Sequence, residues 1–189
     1  MTTLILAIVL GAAFGAVLDR VGATNPGYII RMLNLTDMHL MRTILLAIGI
    51  GSVLMFGGLL TGIVDVGHLS VKTAYVGVFI GGLLLGAGFA VSGFCPGTGL
   101  TAAATGRKDA LFFVAGGLVG AAAYMGSYAW VETTGVLDKI AGGKATLGAI
   151  VGTKYPALID SLPGEFTGIV LGIVFIAVAA ILPARILNR

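Results

Sequence analysis

Hydrophobic positions in this chain come in long runs, without the alternation of two or 3.6 residues that marks half-buried strands or surface helices. The runs cover Thr3–Leu18, Ile44–Val64, Thr73–Phe94, Ala110–Val131 and Phe166–Leu182. About 20 helical residues cross the hydrocarbon of a bilayer, so the middle three have full length and the outer two lie near the lower limit. The pattern predicts an all-α integral membrane protein of about five transmembrane helices, residues 1–189 forming one membrane domain. The first run has no basic residue before it and meets Asp19 and Arg20 directly after it, unlike a cleaved secretory signal, so it is expected to stay in the mature protein.

Polar positions cluster between the runs and set an orientation. With the N-terminus outside, Arg20, Arg31, Arg42, Arg107, Lys108, Arg185 and Arg189 are cytoplasmic, and Lys72, Lys139, Lys144 and Lys154 are external, which is the expected sign of the basic-residue bias. The C-terminus is then cytoplasmic. The external loop from Glu132 to Glu165 is long, and its Ala145–Val151 stretch is apolar enough to dip back toward the membrane.

Within the runs glycine recurs at small-xxx-small spacing: Gly11/Gly15, Gly58/Gly62, Gly77/Gly81, Gly82/Gly86, Gly116/Gly120 and Gly168/Gly172. Such pairs let helix backbones approach closely, and predict a glycine-rich tight bundle. The same spacing also suits a compact scaffold with no further role.

The third run breaks at Ser92-Gly93-Phe94-Cys95-Pro96-Gly97-Thr98-Gly99. A proline and three glycines around the single cysteine cannot continue a helix, so the thiol stands at a turn within or at the end of a span. Irregular backbone at membrane depth survives only where protein buries it or a watery cavity solvates it. Pro96 suits a first helical position, which predicts a short re-entrant or intramembrane half-helix capped by Cys95, its free N–H groups aimed at the sulfur. Those groups favour thiolate and apolar burial opposes it, so the protonation state stays open. Asn25-Pro26-Gly27 follows Gly11/Gly15 much as Cys95-Pro96-Gly97 follows Gly82/Gly86. Paired interrupted segments point to a transporter site, although an ordinary interfacial turn reads the same way at Asn25. Candidate substrate-binding residues are therefore Cys95, Gly93, Pro96, Gly97, Thr98, Gly99 and Asn25.

Composition agrees: 58% of residues are apolar, 10% are charged, and mean hydropathy is +1.07. The net charge of +3 forms no basic stripe of the kind nucleic acid needs. One cysteine makes no internal disulfide or paired metal-ligand spacing. Met32, Met38 and Met41 fit core filling on one face of an interfacial helix better than soft-metal binding, and His39 and His68 read as interfacial groups. Arg20, Arg31, Arg107 and Lys108 form a cytoplasmic funnel for anions or simply fix topology. Asp109 reads as a solvated partner of Lys108 at a helix start. No Ser/His/Asp arrangement, phosphate loop or acid pair appears, so neither a cofactor nor an enzymatic activity is expected.

The pattern Gly-Phe-Cys-Pro-Gly-Thr-Gly, followed by Ala102–Ala104, Gly106 and Asp109-Ala110, resembles the YeeE/YedE family of bacterial sulfur-compound transporters, particularly its half-length members. Phe14-Gly15 and Arg20 are similar to the start of that family's repeat, so the likeness runs from about Gly11 to Gly120. The resemblance implies thiosulfate uptake across the inner membrane through an hourglass-shaped bundle, in which cysteines on inward-dipping loops pass the ion along by S–H to sulfur hydrogen bonds. Cys95 matches one relay cysteine. A second, expected near Ala23–Asn25, is absent, which implies that a second half-length subunit or another copy of this chain supplies further sites.

The residues and the resemblance together predict a permease subunit, a half-transporter, for a small sulfur-containing anion such as thiosulfate. Its expected partners are membrane lipid, the second subunit and, as a further candidate, a cytoplasmic sulfurtransferase. The alternatives are a redox or sulfur-transferase subunit persulfidated at Cys95, and a scaffold half that completes a partner's pore.

Overall fold

A computed structural model describes residues 1–140, 142–150, 152–153 and 155–183. Lys154, Arg185, Arg189 and Val151, the last residue of the loop stretch expected to dip inward, lie outside them, as does the side chain of His68. Seven α-helices dominate the described residues: α1 (Thr2–Arg20), α2 (Pro26–Leu33), α3 (His39–Leu60), α4 (Val76–Ser92), α5 (Pro96–Ala104), α6 (Lys108–Thr133) and α7 (Gly164–Ile181). Among the described residues five apolar helical segments are long enough to cross a membrane, as the sequence pattern predicts. The third continues to Ala104, so the turn bearing Cys95 interrupts an apolar stretch.

Helix ends differ from the apolar runs where polar side chains take over the backbone. α3 starts at His39, ahead of the apolar run, where the Asp37 carboxylate accepts the His39 N–H (3.0 Å). It ends at Leu60, because the Thr61 hydroxyl turns back onto the Gly57 carbonyl (3.0 Å) and Gly62 takes a left-handed φ of 72°. α6 starts two residues before Ala110, with Asp109 in its first turn. The Ala145–Val151 stretch forms β1 (Thr146–Ala149), paired in parallel with β2 (Ala157–Pro163) through Thr146↔Ala157 and Gly148↔Ile159. Pairing to β2 satisfies its backbone, which explains why this segment is a strand.

The chain divides into two compact units. The first holds Met1–Leu40 and Leu83–Ala129. In it α5 packs on α1, where a Cβ built on Gly15 would lie 3.8 Å from the Thr101 methyl. Phe94, Ala102 and Ala110 form a buried cluster joined by Phe113, whose ring centroid lies 5.7 Å from that of Phe94. Ile29, Met32, Met38 and Leu40 are also buried. Met32 and Met38 fill core as expected while Met41 is half-buried, and since Met32 belongs to α2, Met38 precedes α3 and Met41 lies in α3, they share no helix face.

The second unit holds Met41–Gly82 and Trp130–Leu182. Its organising contact is an antiparallel pairing of α3 with α7. A Cβ built on Gly49 would lie 2.7 Å from the Gly172 carbonyl oxygen, and one on Gly172 would lie 2.8 Å from that of Gly49. Gly168 sits against the Phe56 ring. The Ser52 hydroxyl donates to the Gly168 carbonyl (2.8 Å), and the Arg42 guanidinium Nε–H to that of Ala179 (3.1 Å). Backbones this close require residues without side chains, as the Gly168/Gly172 spacing predicts. On α3 the pairing uses Gly49 and Ser52, while Gly58 packs on Val64 and Gly62 serves the helix end.

Candidate functional site

The break in the third apolar stretch is built by its own sequence. Phe94 N–H donates to Ser92 Oγ (3.2 Å), and Gly93 takes a φ of 69°, a left-handed conformation that strains any L side chain. The turn also needs glycine for space, since a Cβ on Gly93 would sit 2.7 Å from Pro26 Cβ. Phe94 anchors the turn in the buried cluster, and Gly99 lies directly beneath the Phe113 ring.

Cys95 is the N-cap of α5, with extended backbone and Pro96 at the first helical position. Thr98 N–H donates to Cys95 Sγ (3.4 Å), and Cys95 N–H donates to Thr98 Oγ1 (3.0 Å), a reciprocal capping box with sulfur in the place of a Ser or Thr oxygen. The Thr98 hydroxyl lies 3.2 Å from both Cys95 Sγ and the Cys95 carbonyl, so its single proton goes to one or the other. Thr98 is 4% exposed; Cys95 is partly exposed. The sulfur thus accepts from the Thr98 N–H.

Asn25 repeats this arrangement on α2. It caps the helix with its side-chain oxygen, which accepts from Gly27 N–H (3.0 Å), and Pro26 again occupies the first helical position. The Thr24 hydroxyl donates to Asp19 (2.7 Å), closing the turn after α1. Through the Pro26–Gly93 contact the two short helices begin next to each other. Six of the seven candidate residues, Gly93 and Pro96 to Gly99 with Cys95, therefore form one turn, and Asn25 caps the helix whose first residue touches it. Gly97 is exposed and makes no side-chain-sized contact.

Sequence reasoning missed Ser92, Pro26, Phe113 and the pairing of Thr98 with the sulfur. Ser92 and Thr98 carried a local signal, a hydroxyl two residues before the Phe94 amide and another three after the Cys95 amide, both of which the turn would orphan; the contacts of Pro26 with Gly93 and of Phe113 with Phe94 carried none.

The basic residues spread out. Arg31 donates to the Gly27 carbonyl (3.2 Å) and lies over the Tyr28 ring, 4.7 Å from its centroid. Asp109 pairs with Arg107 at 2.7 Å, in place of the expected Lys108, because the turn before α6 lets the guanidinium reach both carboxylate oxygens. This hydrogen bond holds the Arg107 pKa above its ordinary value.

Apolar helices of spanning length, interrupted by two proline-started half-helices with polar caps, define a multi-pass helical membrane protein of the transporter type. The family model described as sulphur transport matches residues 20–187, and the chain belongs to this family, the YeeE/YedE sulphur transporters. No curated protein and no solved structure matches it. The family makes the chain a sulfur-compound transporter in general terms.

Proposed function

We propose that the chain is an inner-membrane permease subunit that moves a small sulfur-containing anion, thiosulfate or a close relative, with Cys95 as the hand-over group. One observation carries the reading: the Thr98 N–H is bonded to the Cys95 sulfur at a partly exposed helix start, which leaves the thiol its S–H proton as the group to offer a solute. A thiol held in this way donates to a soft anionic sulfur. The start of α5 adds the Gly97 N–H and the positive end of the helix dipole, which favour an anion there. The adjoining start of α2, capped by Asn25, adds a second such end. A second half-length subunit or another copy completes the pathway, in keeping with the single thiol and with α1, which buries none of its residues. The N-terminus lies outside and the C-terminus in the cytoplasm.

Uptake of radiolabelled thiosulfate in cells without their own sulfur-anion importers tests the reading. Cys95→Ala is expected to lower uptake at least about tenfold, the loss of a charge-assisted hydrogen bond, at unchanged membrane levels. Wild-type uptake by inserted Cys95→Ala would sink it. A stable sulfur adduct on Cys95, seen by mass spectrometry, would favour persulfidation over hydrogen-bonded transfer.

A further inference from the structure

The second unit contains a basic cleft that plays no part in the hand-over at Cys95. It has a volume of about 360 Å³ and is lined by Thr73, Lys139, Gly142, Gly143, Lys144 and Tyr155. Its floor is pinned by backbone: Ala74 N–H donates to the Gly143 carbonyl (2.6 Å), and Ile140 N–H to that of Ala74 (2.9 Å). Gly142 and Gly143 take φ values of 76° and 96°, which leave a stretch of bare main chain between the two lysines. The Lys139 stem packs over Gly143, its Cδ 3.2 Å from where a Cβ would stand. The Lys144 ammonium lies 5.7 Å from the centroid of the Tyr155 ring.

Among the described residues no carboxylate pairs with either lysine; the Asp138 carboxylate turns toward Gly135. The Thr73 and Tyr155 hydroxyls and the Gly142 N–H likewise meet no partner among the described residues. Two lysines lining one cleft raise its positive potential and concentrate counter-ions there, most strongly divalent ones. The surrounding hydroxyl and amide donors suit an acceptor with several oxygens.

We propose that this cleft binds a doubly charged tetrahedral oxyanion, held by Lys139 and Lys144 as point charges and by Thr73, Tyr155 and the Gly142 amide as hydrogen-bond donors. The same chemistry is offered by a free anion of the sulfate or thiosulfate type and by the phosphate of an acidic lipid.

Residue-resolved acylation of lysines, read by mass spectrometry on the full chain in nanodiscs, tests it. In phosphatidylcholine nanodiscs, sulfate is expected to slow acylation of Lys139 and Lys144 relative to chloride at equal ionic strength. Lys72, bonded to Ser70 (3.1 Å) and outside the cleft, should react at an unchanged rate. Lys144→Gln should weaken the protection of Lys139 about tenfold, and Lys144→Arg should retain it. Protection that arises only when phosphatidylglycerol is included supports the lipid phosphate as the source. No selective protection under either condition, or equal protection of Lys72, overturns the assignment. Cys95→Ala leaves the protection intact, so failure here and failure of the hand-over at Cys95 are separate results.

Discussion

The turn from α1 into α2 and the turn from α4 into α5 are two versions of one construction. Each follows a long apolar helix, passes through a left-handed glycine (Gly22 at 82°, Gly93 at 69°), and ends in a polar cap followed by Pro-Gly and a short helix. They differ at the cap atom. Asn25 presents an exposed amide whose oxygen is bound to the second amide of its helix. Cys95 presents a partly exposed sulfur bound to the third, with a threonine hydroxyl beside it. Frame and reactive group are therefore separable: the backbone supplies two adjoining helix starts, and a single atom at one of them supplies sulfur chemistry.

The strongest way to break the frame is Gly93→Val. Forbidden φ and collision with Pro26 act together, and a loss of about 3 kcal/mol or more is expected, seen as poor insertion and a lowered unfolding temperature. Next comes an exchange of the caps. Cys95→Asn keeps a competent cap, so stability should stay within about 1 kcal/mol while uptake falls to background. Wild-type uptake by a chain carrying both Cys95→Asn and Asn25→Cys would make the two turns equivalent. Thr98→Val sharpens the comparison further. Removing the hydroxyl takes from the Cys95 N–H its acceptor and opens the cap, so a loss of about 1 kcal/mol is expected in thermal unfolding. In the second unit, Ser52→Ala should cost about 0.6 kcal/mol in thermal unfolding. The smallest effect is expected from Arg107→Gln, since its ion pair with Asp109 is exposed and the unfolding temperature should not move.

These features were legible in the sequence to different degrees. The spans follow from run length alone, and the half-helix at Cys95 follows from proline and glycine, whose backbone limits act locally. The choice of Gly49 over Gly58 on α3 was hidden, because that helix offers several small residues and spacing does not select among its faces. β1 was hidden for another reason: four weakly apolar residues suit a strand or an inserted segment equally, and the deciding partner, β2, lies further along the chain. The Pro26–Gly93 contact joins positions far apart in sequence, and no local pattern encodes it. The cap donated by Thr98 lay within reach, obscured only because threonine there replaces the usual Glu or Gln.

The seam between α3 and α7 has a mechanical consequence. Carbonyls of α7 are gripped near both ends by Arg42 and Ser52, and between those grips each main chain lies in a notch of the other. Sliding one rod past its neighbour by a single turn would unseat every grip at once, so the couple acts as a stiff spar, and any flexing during a work cycle has to be taken up elsewhere along the polypeptide.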